Sequence, residues 1–194
     1  MDLSLAALLV QVRDTLAHPR QGARAIMALQ VPGPVAWIAV AFLAVTSTLL
    51  AYVSYHLSPA ETRDFFAEAM ALPLRTAFLQ LFIWVLGIFA LFRVGRARGG
   101  RGTMEETVAL VAWLQFVMLV LQGVTLLVQV LVPPLAGLLG LAEVAVFFWL
   151  LVPFVAELHG FRSMAVTFAG VLAGICVLFL VMAVILAPFI GVGG

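Results

Sequence analysis

The chain is predicted to be all-α: a polytopic membrane protein with five transmembrane helices, an amphipathic interfacial helix at its amino terminus, and a short interfacial helix between spans one and two. Three observations predict this. Five apolar stretches run almost free of charge between their ends, and each is long enough, at about 1.5 Å of rise per helical residue, to cross a hydrocarbon core of about 30 Å. Hydrophobic residues make up 65% of the 194 residues and charged ones only 10%, with a mean hydropathy of +1.22, a composition that water would precipitate. Arginine fills all 10 lysine-or-arginine positions, and most of these gather beside the ends of the stretches, where basic residues orient a membrane protein.

Residues 1–33 read as an amphipathic arm on the membrane surface. Leu5, Leu9, Val12 and Leu16 recur at helical spacing opposite Asp2, Gln11, Arg13 and Asp14, the pattern of a helix lying in the headgroup plane. Asp2 in place of a basic start, and the polar residues that cut the apolar run short, argue against a signal peptide. His18 and Pro19 break this helix. A second amphipathic piece carries Arg20 and Arg24 outward and Ile26, Met27 and Leu29 inward, before Val31-Pro32-Gly33-Pro34 turns the chain into the membrane.

Residues 34–194 are the expected transmembrane domain, which leaves no room for a separate catalytic domain. Span one runs from about Ala36 to Leu57, with Trp37 at one end and Tyr52, Tyr55 and His56 at the other as interfacial anchors. Ser58-Pro59-Ala60-Glu61 has the form of a helix start, with Ser58 as the cap and Glu61 completing a capping box. Phe65, Phe66 and Met70 give the short helix that follows an apolar side. Span two covers about Leu74 to Phe92 and leads into a flexible basic loop with Arg93, Arg96, Arg98 and Arg101. Thr103 and Glu106 cap span three, about Thr107 to Val132, and Pro133-Pro134 forces a tight turn into span four, about Leu135 to Glu157. Pro153 is expected to kink span four, and span five runs from Met164 to Pro188.

Arginine placement predicts orientation. Arg13, Arg20, Arg24, Arg93, Arg96, Arg98, Arg101 and Arg162 fall on one side of the membrane, and only Arg63 and Arg75 on the other. Basic residues close to spans resist translocation, so the amino terminus is expected in the cytoplasm and the carboxyl terminus outside.

Several segments together resemble bacterial members of the Ypt-interacting protein (Yip) family. They are the five-span order, His18-Pro19-Arg20 in the arm, the Gly99-Gly-Arg-Gly-Thr103-Met-Glu-Glu106-Thr107 lead into span three, and Glu157-Leu-His-Gly-Phe161 before span five. The resemblance covers nearly the whole chain and implies a fold and a membrane location, here a bacterial inner membrane. Eukaryotic relatives sit in endoplasmic-reticulum and Golgi membranes and are associated with Rab GTPases and vesicle traffic. Those relatives carry a longer cytosolic amino-terminal region and an Asp-Leu-Tyr-Gly-Pro signature near the first span. Neither occurs in this sequence, so that role is not carried over.

Motifs for chemistry are few. No nucleotide-binding glycine pattern, no His/Cys cluster at metal spacing and no nucleophile with a neighbouring base is present, so no enzyme activity and no cofactor are expected. A net charge of +1, with no basic run interleaved with aromatics, gives no sign of a nucleic-acid partner. The single cysteine, Cys176, reads as a small buried hydrophobe. Arg93, Arg96, Arg98 and Arg101 are candidate headgroup ligands, worth about 1 kcal/mol each beside an anionic leaflet, or else a pure topology signal.

Glu143 is the sharpest candidate, since it lies about 14 Å beyond Pro134 along a helix, close to mid-membrane. Gln122 falls at nearly the same depth, Gln115, Gln122 and Gln129 repeat every seven residues as one polar stripe on one face, and Gln122 is expected to hydrogen-bond Glu143. Two roles are open for these residues: gluing helices together at about 0.6 to 2 kcal/mol per contact, or lining a polar path. Gly170 and Gly174 form a Gly-x-x-x-Gly pair suited to close helix packing, and Glu157 and His159 are placed to reach Arg162 or headgroups. The function expected is a non-enzymatic membrane scaffold or adaptor that binds partner proteins, copies of itself or lipid. The alternative is a small transporter, channel or lipid scramblase built around Glu143.

Overall fold

The computed structural model describes residues 4–190, with side chains described through residue 184. Asp2, assigned to the polar face of the arm, and the carboxyl terminus itself lie outside the described residues. Eight helices make up the described chain: α1 (Leu5–Ala17), α2 (Pro19–Ala28), α3 (Gly33–Leu57), α4 (Ala60–Met70), α5 (Pro73–Ala97), α6 (Met104–Leu131), α7 (Pro133–His159) and α8 (Met164–Ile190). Five of them, α3 and α5 to α8, are long and apolar enough to cross a membrane.

Local chemistry sets most of the boundaries. The Ser4 hydroxyl accepts from Ala7 N at 3.3 Å to cap α1, His18 ends that helix, and Pro19 opens α2, where a missing N–H costs nothing. Prolines open α3, α5 and α7 in the same way. The capping box expected before α6 is present: Thr103 Oγ1 accepts from Glu106 N at 3.2 Å, and Glu106 Oε2 accepts from Thr103 N at 2.9 Å. Gly160 closes α7 at a φ of 72°, a left-handed conformation that glycine adopts without strain.

Two local expectations are corrected. Arg93 and Arg96 lie on α5, which continues to Ala97, so the basic connection begins only at Arg98. Nothing before Gly99 breaks the helix, and the apolar length of a span does not mark where its helix ends. Ser58 does not cap α4; its hydroxyl donates to Ser54 O at 2.9 Å and accepts from Gln129 Nε2 at 3.0 Å, so it finishes α3. No side chain caps α4, and Glu61 completes no box there.

Helix α6 is the centre of the bundle and packs most extensively on α3 and α7. Gln122 Nε2 donates to Ser47 O at 3.3 Å and Gln129 Nε2 to Ser54 O at 2.9 Å, so α3 and α6 run parallel in a register repeated every seven residues. That direction is the one required of spans one and three. The tightest packing lies at the arm end, where Val108, Leu114 and Val117 of α6 meet Leu150 and Phe154 of α7, with Val12 and Ile26 of the arm in the same cluster. Towards the other end the same helices turn Leu127, Leu131, Leu138 and Leu141 outward. Lipid tails are as apolar as leucine, so no hydrophobic force draws those residues inward.

Candidate functional site

The arm end of the bundle gathers three segments that are far apart in the sequence. Glu157, half-buried on the last turn of α7, is gripped by the arm: Arg24 Nε and Nη2 donate to its two carboxylate oxygens at 2.8 and 3.1 Å, and Arg20 Nε lies 3.4 Å away. This fork is the strong, planar form of an arginine–carboxylate pair. The hydrogen bond to Glu157, and then its charge, raise Arg24 above its ordinary pKa. Two tryptophans hold the arm from below: Trp113 Nε1 donates to Thr15 Oγ1 at 3.2 Å and Trp149 Nε1 to Leu16 O at 3.0 Å.

His159 corrects an expectation, because the residue is 2% exposed and its ring turns into the protein to Leu91 in place of Arg162 or the surface. It sits in a slot formed by Gly95 of α5 and Gly100 of the α5–α6 connection, where a Cβ on either glycine would overlap the ring. Phe161 stacks on it at 5.4 Å. Its Nε2 lies 3.2 Å from Leu91 O; a carbonyl only accepts, so Nε2 carries the proton, and Nδ1 is buried without a partner among the described residues. The chain beyond the slot is also tied to α7, with Arg101 N donating to His159 O at 3.4 Å and Gly102 against Leu158. Glu157 likewise pairs with the arm in place of Arg162.

Beside this end, a groove of about 780 Å³ opens between α5 and α8, with α6 and α7 as its floor. Its walls are apolar, among them Ile83, Trp84, Leu91, Phe147 and Val171, while Arg98, Arg162 and Ser163 stand at one end. Gly170 and Gly174 line it and pack no other helix tightly: a Cβ at Gly174 would meet nothing within 4 Å, and one at Gly170 only Arg98 Nη1 at 3.4 Å. Of the four candidate headgroup arginines, Arg98 alone lines this groove; Arg93, Arg96 and Arg101 are exposed outside it. Cys176 is exposed on α8 and is not the buried hydrophobe expected.

The polar stripe divides between two neighbours. Gln122 and Gln129 face α3, as described, and Gln115 lines the groove. Glu143 is half-buried and accepts a hydrogen bond from Thr125 Oγ1, so its expected partner, Gln122, is corrected to Thr125. Three residues along an α-helix turn a side chain about 60° around the axis, which aims Thr125 at α7 and leaves Gln122 aimed at α3. Gln80 of α5 is a further member that the sequence did not single out: it donates to Ser47 Oγ and accepts from Thr48 Oγ1 at 3.2 Å. The shared seven-residue spacing of Ser47/Ser54 and Gln122/Gln129 was the signal available for this pairing. Among the described residues, no group of three or more His, Cys, Asp or Glu side chains is gathered to hold a metal.

The arm, the lead into α6 and the turn after α7, which carry the family resemblance in the sequence, are thus one interlocked unit in space. No curated protein and no solved structure matches the chain. The sequence model described as Yip1 domain matches residues 13–186, a stretch that takes in all three segments and four of the five spans completely. The chain therefore belongs to the Yip family of integral membrane proteins.

Proposed function

We propose that the protein is a non-enzymatic scaffold of the bacterial inner membrane, in which the bundle carries a cytoplasmic platform for partner proteins. The platform consists of the arm, the α5–α6 connection and the α7–α8 turn. The observation that carries this reading is the interlock at Glu157 and His159, which ties these three exposed segments to one helix end. A surface held by a forked ion pair and a buried ring keeps its shape for a partner. The excess of arginines at this end supports a cytoplasmic placement, with Arg93, Arg96 and Arg101 exposed at its rim as the topology signal.

The polar groups at depth favour a scaffold over a polar path. Gln80, Gln122, Gln129 and Thr125 each bond a neighbouring helix, which is what helix glue does. Sealed liposomes holding the purified protein test the proposal. Protons, common ions and labelled lipid should cross no faster than in protein-free vesicles, and Glu143→Gln should change nothing. Flux that disappears in Glu143→Gln would overturn it in favour of a small transporter, channel or scramblase.

A further inference from the structure

The groove between α5 and α8 is left unused by a scaffold role, and its occupant is a separate matter from the platform's partners. Its walls extend from Arg98 back to Ile83 on α5 and from Ser163 to Leu178 on α8, about 22 Å each at 1.5 Å per residue. That is longer than the depth of one leaflet's hydrocarbon, roughly 15 Å. Glycines widen it at Gly87 and Gly174, where a Cβ would meet nothing within 4 Å. The result is a long apolar trough with room for a thin, flexible chain.

The charge at its mouth selects among apolar occupants. Arg98 leaves the end of α5 and reaches across to α8, with Nη1 3.4 Å from where a Cβ on Gly170 would stand. Arg162 and Ser163 line the same end, and among the described residues no Asp or Glu lines the groove. Neither guanidinium makes a hydrogen bond or ion pair among the described residues, whereas those of Arg20 and Arg24 at the same end share Glu157. An unpaired guanidinium over an apolar trough lacks the anion that its fork of donors matches, and a phosphate is such an anion. A zwitterionic headgroup would bring a second cation to two arginines with no carboxylate beside them in the groove's described lining.

We propose that this groove holds one anionic phospholipid from the leaflet at the arm end. Its phosphate lies between Arg98 and Arg162 with Ser163, and one acyl chain runs along Gly170 and Gly174. The volume of about 780 Å³ falls within the roughly 300–1,000 Å³ usual for a built small-molecule site. The second chain stays in the bilayer, to which the groove opens.

Native mass spectrometry of the purified, delipidated protein, titrated with phosphatidylglycerol or phosphatidylcholine of matched chains, reads the site directly. One phosphatidylglycerol per chain should be retained at least tenfold more tightly than phosphatidylcholine. Arg98→Gln combined with Arg162→Gln should abolish that preference, and Arg93→Gln combined with Arg96→Gln should keep it. Gly174→Leu, which fills the trough and leaves both arginines in place, should weaken retention about tenfold. Equal retention of the two lipids by the unaltered protein would overturn the proposal, and that comparison depends on no variant folding. So would an unchanged preference in the Arg98/Arg162 variant, unchanged retention in Gly174→Leu, or a second copy of the chain crosslinked through Gly174→Cys in place of lipid.

Discussion

The ring of His159 occupies the space that a side chain on Gly95 would need, so the last turn of α7 and the last turns of α5 fit only because residue 95 has no Cβ. An added methyl there must push aside a ring that is buried on its other sides. Gly95→Ala should therefore lower stability, by about 1–3 kcal/mol as overpacking of a filled core does. Thermal unfolding in detergent checks this. In His159→Ala the slot is vacant, so Gly95→Ala added to that background should cost little, and equal costs in both backgrounds would show that the fit is not the cause.

Replacing Glu157 by Gln should loosen the arm. The carboxylate binds Arg20 and Arg24 together, and an amide offers neither the charge nor two acceptor oxygens. Trp113 and Trp149 still hold Thr15 and Leu16, so the arm should loosen without detaching. Proteolysis of the arm should speed up several-fold in Glu157→Gln, and 1 M salt should have the same direction of effect on the unaltered protein because these arginines are exposed. An arm equally protected in both proteins would show that the tryptophans alone dock it.

Gln129 joins α6 to α3 at three points, donating to Ser54 O and Ser58 Oγ and accepting from Ser54 Oγ. Gln129→Met keeps the length and removes these bonds, and the loss should be about 0.6 to 2 kcal/mol per contact. A double-mutant cycle with Ser58→Ala isolates one of them: the Ser58 substitution should cost less once Gln129 is gone. Strict additivity would mean that the contact contributes nothing to stability.

The spans were legible because length and apolarity alone decide whether a helix can cross a bilayer, and the capping box at Thr103 and Glu106 is a local pattern read without knowledge of the fold. Rotation about each helix axis was not legible. Gln122 and Thr125 lie at similar depth beside Glu143, and only the angle between α6 and its two neighbours decides that Thr125 meets the carboxylate. His159 was missed for a related reason. A histidine at a span end ordinarily faces headgroups, and the slot that buries it is made by glycines of another helix and its following turn. The glycines at 95, 99 and 100 were visible as a flexible loop, and their absence of side chains was the clue to a close approach.

Orientation rests on arginines that stand clear of the bilayer centre, and it is open to direct chemical test. With Cys176 replaced by Ser to remove the exposed native thiol, single cysteines at Arg101 and at Phe65 probe the two ends; Phe65 is 81% exposed on α4. Eight arginine positions, namely 13, 20, 24, 93, 96, 98, 101 and 162, share the end that carries Arg101. Moving them across a membrane is disfavoured, whereas the α4 end carries only Arg63 and Arg75. A membrane-impermeant maleimide applied to intact cells should therefore label Phe65→Cys at once and Arg101→Cys only after permeabilisation. The reverse pattern would place the arm outside and remove the proposed platform from the cytoplasm. Two-sided labelling of both positions would mean that the arginine excess does not fix a single topology.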